Sequence, residues 1–228
     1  AQRRRLDGRP LALRTRELYR HQLDRFIVPS LGGRQLGQIR VRHVRAWHSD
    51  LVGEVGAMQA AKAYRLLLVI LNTAVEDERI GINPCKVRGA GVERSPERPF
   101  VDAEVVLRLA AAIEDRYAAL VLLAGFGGLR LGELLGLRRC DVDTGRGTVR
   151  VELQVVELKN GERVVTPPKT AAGRRSVALP RAVTEALSCH LDRYTGPDGH
   201  DPVVTGPLSE GLRRASLYTA WHAALART

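Results

Sequence analysis

The sequence predicts a mainly α-helical chain with a small β-sheet, arranged as an N-terminal helical bundle followed by an α+β part. Three observations predict this. Apolar residues recur at helical spacing between residues 14 and 79 and again between 103 and 126. A period of two is confined to residues 147–179. Between the helical stretches, residues 86–99 (KVRGAGVERSPERP) hold two prolines, two glycines and many charges, the composition of a linker. The expected division is therefore a bundle over 1–85, a linker over 86–99 and a second domain over 100–228.

In the first part, residues 14–28 read as a helix capped by Thr15, with Tyr19, Leu23, Phe26 and Ile27 on one face and Pro29 with Gly32-Gly33 at its end. Val44, Trp47 and Leu51 mark a second helix over 41–52. A third runs over 57–79, with Ala63, Leu67, Ile70, Leu71 and Ala74 as its buried stripe and Gly81 and Asn83-Pro84 as its stop. Its polar face carries Lys62 and Arg65. In the second part, Asp102 caps a helix to about 113, with Glu104 in the first turn, where the helix dipole favours an acid. An apolar helix over 117–126 is broken by Gly127-Gly128, and another begins near Leu131. TVRVELQVVEL, RVVTPP and RRSVALP read as three strands, the first two joined by a turn at Asn160-Gly161. KTAAG links the second strand to the third, and helices follow over 181–194 and from about 216.

Charge narrows the function classes. The chain has 228 residues and a net charge of +11. Residues 1–98 hold 19 Lys+Arg against 10 Asp+Glu, or +9, whereas residues 99–228 hold 17 against 15, or +2. Such asymmetry points to a polyanionic partner, the alternative being a solvated arginine-rich surface. No apolar run is long enough to span a bilayer. The three cysteines, Cys85, Cys140 and Cys189, lack metal-ligand spacing and read as reduced, buried thiols of a cytoplasmic protein. Of the 36 basic side chains only four are lysines, so Lys169 departs from the habit of the chain.

One stretch, GFGGLRLGELLGLRRCDVD (125–143), does not read as core alone. Leu129, Leu131, Leu134, Leu135 and Leu137 are core-like, but Arg130 and Glu133 interrupt them. A cation at a helix start opposes the dipole, so helix stability does not explain Arg130. It follows two glycines, which admit a close ligand, and its planar fork suits a phosphate. Glu133 can reach back to hold that fork. The residues alone leave two readings open: this phosphate site, or a plain i,i+3 ion pair worth roughly 0.2–0.5 kcal/mol.

GGLRLGELLGLRRCDVD resembles the first signature box of the tyrosine recombinases, the phage-integrase family, through Gly128-Leu129-Arg130, Gly132-Glu133-Leu134, Leu137 and Asp141-Val142-Asp143. PPKTAAGRRSVALP is similar to the lysine-bearing β-hairpin of that family, and the bundle with its Ile82-Asn83-Pro84 exit resembles the helical core-binding (SAM-like) domain. The resemblance implies a core-binding domain followed by the first part of an α+β recombinase catalytic domain. It implies site-specific DNA recombination or integration, in which a tyrosine attacks a DNA phosphate to give a 3′-phosphotyrosyl bond, with no metal or other cofactor. Arg130 would stabilise charge on the phosphorane, Glu133 would orient it, and Lys169 would protonate the leaving 5′-oxygen. Lys62, Arg65, Arg174 and Arg175 would contact DNA. The implied partners are double-stranded DNA carrying recombination sites and three further copies in a homotetramer on synapsed DNA, the chain alone being a monomer or weak dimer. Excisionase or DNA-bending accessory proteins are further implied partners, and the setting is the cytoplasm, at the nucleoid, with no membrane.

The remaining catalytic groups of the family are not assigned. HLDRY (190–194) has the spacing His190-x-x-Arg193 followed by Tyr194, but it lies on the helix directly after the third strand. His190 and Arg193 read as a solvated face of that helix. Tyr218, Trp221 and His222 fall in a segment resembling the one that precedes the box sought. The expectation is thus a chain lacking the nucleophile, which would lie beyond residue 228, and inactive by itself. The alternative is a non-catalytic DNA-binding protein on a recombinase scaffold.

Overall fold

The computed structural model describes residues 10–93, 95, 97, 99–207 and 211–228. The chain divides into two compact units, 1–98 and 99–228.

The first unit is a helical bundle. Helix α1 (Leu13–Gln22) passes through a π turn (Leu23–Ile27) into the short helix α2 (Val28–Leu31). Two sequence expectations change here. Thr15 lies inside α1, which starts after Ala12, and Pro29 does not end the helix. A proline normally clashes with the carbonyl four residues back, and the wider π turn gives its ring room. Gly32 ends the segment instead. Helices α3 (Val41–Val55) and α4 (Ala57–Glu76) complete the bundle, α4 stopping before the expected residue 79. Their apolar stripes meet: Val44, Trp47, Leu51, Ala63, Leu67 and Leu71 are all buried. The Trp47 indole N–H donates to Phe26 O at 2.7 Å, so α3 is locked to the π turn. Residues 86–90, expected as the start of a loose linker, pack on this bundle. Tyr64 Oη accepts from Val87 N at 3.0 Å, and Ala90 is buried in the bundle core. Burial also pushes the Cys85 thiol up to about 12, so it stays protonated at neutral pH.

In the second unit, Asp102 accepts from Val105 N at 2.9 Å and caps α5 (Ala103–Ala112), as its spacing predicts. Helix α6 (Asp115–Gly127) ends at Gly128, whose φ of 61° is a left-handed cap that a side chain would strain. Helix α7 (Leu131–Leu135) follows. The β region differs from the three-strand expectation. Strands β1 (Val142–Asp143), β2 (Thr148–Val151) and β5 (Arg175–Ala178) form one antiparallel sheet in the order β1-β2-β5. Strands β3 (Gln154–Glu157) and β4 (Arg163–Thr166) form a separate hairpin, turned at Asn160-Gly161. TVRVELQVVEL is therefore two strands serving two sheets. Helices α8 (Arg181–Tyr194) and α9 (Arg214–Leu225) close the unit around a core that includes Tyr117, Leu123, Leu134, Val149, Val151 and Leu187.

The cysteine expectation is corrected. Cys140 and Cys189 are exposed, and only Cys85 is partly buried. Among the described residues, no helix is long and apolar enough to cross a membrane, and no cluster of three or more His, Cys, Asp or Glu side chains is placed to hold a metal.

Candidate active site

Arg130 stands between the Gly128 cap and α7, with extended backbone at φ −72°, ψ 151°. That conformation sends adjacent side chains to opposite sides. Leu129 is buried in the core, while the Arg130 side chain is 79% exposed. Glu133, one turn on, is only 3% exposed. A buried carboxylate is costly unless it is paired and fully hydrogen-bonded. Glu133 meets both conditions. Its Oε2 accepts from Arg130 N at 2.9 Å and from Arg175 Nη2 at 2.9 Å. Its Oε1 accepts from Arg130 Nη1 at 3.0 Å and from Arg175 Nη1 at 3.2 Å.

The electrostatics follow from this count. Two guanidiniums share one carboxylate, leaving one net positive charge, which exposed Arg130 presents to solvent. Burial alone would push the Glu133 carboxyl up. The hydrogen bonds from Arg175, from Arg130 N and from the Arg130 guanidinium outweigh it and hold the group at about 2. A carboxylate held below its unfolded value stabilises the fold fully above that value, and the contribution is lost as pH falls through the folded one. The second unit should therefore lose stability as pH falls from about 4.5 towards 2. In Glu133→Gln that part of the pH dependence should flatten, as measured by thermal unfolding between pH 2 and 6. A slope unchanged by the substitution would show that Glu133 is not the group titrating.

Arg175 begins β5, where it pairs with Val151 of β2, and its side chain reaches Glu133 on α7. It also donates from Nη1 to Gly173 O at 3.3 Å and from Nη2 to Gly128 O at 3.4 Å. Lys169 lies on the turn between β4 and a 3-10 turn at Ala171–Gly173, and is exposed. This turn is tightly folded: a Cβ on Gly173 would meet Pro168 Cβ at 2.5 Å. The structure thus brings Arg130, Glu133 and Arg175 into direct contact, and Lys169 is linked to them through Gly173 rather than by a contact of its own.

The other candidate residues lie elsewhere. Lys62 is half-buried on α4, and Arg65 is exposed and ion-paired with Glu93. Arg174 is exposed, 3.8 Å from Glu152. His190 is not on a solvated face. It is buried, with Nε2 2.7 Å from Val203 O, and burial lowers its pKa. It is a core histidine, as a lone histidine on an apolar helix face usually is. Arg193 and Tyr194 both donate to Asp115, at 2.7 and 2.8 Å. Tyr218 is 67% exposed and leans edge-on to His222. Among the described residues, no tyrosine is hydrogen-bonded to the Arg130–Glu133–Arg175 cluster. Sequence reasoning missed two features. One is the grip of Arg175 on Glu133. The other is the bidentate Arg138–Asp141 pair, at 2.8 and 3.0 Å, which makes the first aspartate of Asp141-Val142-Asp143 a buried structural anchor.

No family model matches the chain. Individual proteins do. The chain is 33% identical over 224 residues to a protein of Mycobacterium tuberculosis described as a prophage phiRv2 integrase, covering 96% of this chain and 59% of that protein. It is 30% identical over 188 residues to the integrase of Mycobacterium phage L5, covering 82% of this chain and 50% of that protein. It is 27% identical over 179 residues to a XerC-like tyrosine recombinase of Caldanaerobacter subterraneus, covering 72% and 46%. The chain thus spans roughly half to three fifths of the length of these curated relatives. In fold it matches the Tn1549 transposon integrase in complex with transposon right-end DNA, with a TM-score of 0.80 and 17% identity over 96% of this chain and 74% of that one. It also matches lambda integrase in a dimer bound to a COC′ core site, with a TM-score of 0.69 and 18% identity over 96% and 77%. The chain is thus similar in sequence to phage integrases and to a tyrosine recombinase, and it shares the fold of the Tn1549 and lambda integrases.

Proposed function

We propose that this chain is the DNA-binding and phosphate-holding part of a site-specific recombinase that cuts and rejoins duplex DNA through a 3′-phosphotyrosyl intermediate. The observation that carries the reading is the buried Glu133, saturated by four hydrogen bonds, which leaves a single exposed guanidinium on Arg130. A fixed, always charged fork whose donors need no reorganisation suits the negative charge that grows on the non-bridging oxygens in phosphoryl transfer. Lys169 supplies a proton to the leaving 5′-oxygen from its turn. None of the described tyrosines is assigned the attack, so this chain alone is expected to bind DNA and not to cleave it. Residues 1–85 form the core-binding domain, 86–99 lead out of it, and 100–228 contribute the catalytic residues. A tetramer on synapsed DNA is the expected assembly, by analogy with lambda integrase, which is described as a tetramer bound to a Holliday junction.

The first unit, at +9, should supply much of the affinity, together with Arg174. Counterion release makes such binding salt-dependent: with 6–10 phosphate contacts, affinity falls about 10³–10⁵-fold between 50 and 200 mM salt. A gel-shift series with duplex DNA checks this, and a flat salt response would sink the reading. Lys62→Ala and Arg65→Ala should each weaken binding. A uniform loss across sequences with a salt slope smaller by about 1 marks a phosphate contact, whereas a loss of about 1–3 kcal/mol confined to one base position marks base reading.

A further inference from the structure

Arg174 and Arg175 are neighbours on the same hairpin, and both are basic enough to meet DNA. Their surroundings separate them. The Arg174 side chain is 60% exposed and has one long contact, 3.8 Å to Glu152. The Arg175 side chain is 29% exposed. A guanidinium has five N–H donors, four of them on its two Nη atoms. Arg175 Nη1 donates to Glu133 Oε1 and Gly173 O, and Nη2 donates to Glu133 Oε2 and Gly128 O. All four Nη protons are committed inside the protein, and Nε alone is left for a phosphate.

Those acceptors belong to two different parts of the candidate site. Gly128 and Glu133 flank Arg130. Gly173 closes the turn that carries Lys169. No other described side chain bonds to both parts. Resting on the recombinase reading above, we infer that Arg175 is a positioning residue for strand cleavage, clamping the Arg130 turn and the Lys169 turn to each other rather than touching DNA. The clamp is rigid for a plain reason: β5 is held in register with β2, and the carboxylate it grips is buried. Lysine cannot substitute, because a point charge does not span two carboxylate oxygens and two carbonyls at once.

The test uses the full-length gene product carrying these residues and a nicked duplex that traps the covalent intermediate. Single-turnover cleavage at saturating DNA is measured beside the Kd by gel shift. Arg175→Lys and Arg175→Gln should slow the saturated rate about 10²-fold, the cost of a reacting group displaced by about 1 Å, while Kd and its salt slope stay within about threefold. Because Arg175→Gln removes two of the four hydrogen bonds to a buried carboxylate, Glu133→Gln/Arg175→Gln is made as well. It should keep the unfolding midpoint near that of the unaltered protein and still cleave slowly. A weakened Kd with a smaller salt slope and an unchanged saturated rate would make Arg175 a DNA contact and overturn the inference. So would a folded double variant that cleaves at full rate. If the unaltered protein forms no covalent complex, the recombinase reading itself falls, and this inference with it.

Discussion

Arg130→Lys, made in the full-length gene product carrying these residues, should cut strand cleavage by roughly 10²–10³-fold, the scale on which removing one preorganised donor from a developing oxyanion usually falls. Folding and duplex affinity should change little. The geometry explains the asymmetry. The Arg130 side chain is 79% exposed, so stability has little to lose. Glu133 keeps its two bonds to Arg175 and its bond to the backbone N–H of residue 130, so it is not stranded. What is lost is the planar fork. In the native site its Nη1 is tied to Glu133 Oε1 at 3.0 Å while the rest of the side chain is exposed, before any phosphate arrives. A lysine ammonium keeps the charge but can rotate, and its three donors do not match two oxygens at fixed spacing. Covalent-complex formation on a nicked substrate, measured beside the unfolding midpoint, decides the matter. Parallel losses in melting temperature and cleavage would return Arg130 to the role of a helix-surface ion pair.

Some of this was legible in the sequence and some was not, and the division follows the range of the interactions. Arg130 and Glu133 stood out because they break a leucine-rich run three residues apart, and their contact is local: one turn of helix brings the carboxylate back to the Arg130 N–H. The Asp102 cap and the Gly128 break are local for the same reason. Arg175 was legible as a basic residue but not as the partner of Glu133. The two are 42 residues apart, and whether residue 174 or 175 faces inward depends on the register of β5 against β2, where Val151 pairs with Arg175. The alternation runs unbroken from Thr148 to Val155, so nothing local marks the exchange of partners between Val151 and Gln154 that splits TVRVELQVVEL into two sheets. Pro29 misled because its effect depends on the π turn before it. His190 misled because the carbonyl it meets, Val203 O, comes from a loop thirteen residues away.

Lys169→Ala should slow cleavage of ordinary DNA by about 10²–10⁴-fold, the range of a lost general acid, and this loss should depend on the leaving group. Lys169 is exposed on its turn, so its ammonium can approach a leaving oxygen. Its backbone is less free: the turn is pressed against Pro168 at Gly173, and Arg175 holds the Gly173 carbonyl. An exposed donor on a fixed base suits transfer to an oxygen that becomes basic only as the P–O bond breaks. A 5′-bridging sulfur at the scissile phosphate removes the need for that proton, because a thiolate leaves without help. The sulfur substrate should therefore restore most of the rate of Lys169→Ala. It should not restore Arg130→Ala, whose missing charge faces the non-bridging oxygens whatever atom leaves. Arg175→Gln should fall between the two, since its clamp serves both turns, and partial rescue there is the signature of a residue acting through others. Rescue of neither Lys169→Ala nor Arg130→Ala would mean that Lys169 orients DNA rather than donating a proton. Equal rescue of both would mean that the two turns do not divide the work between leaving group and phosphorane at all.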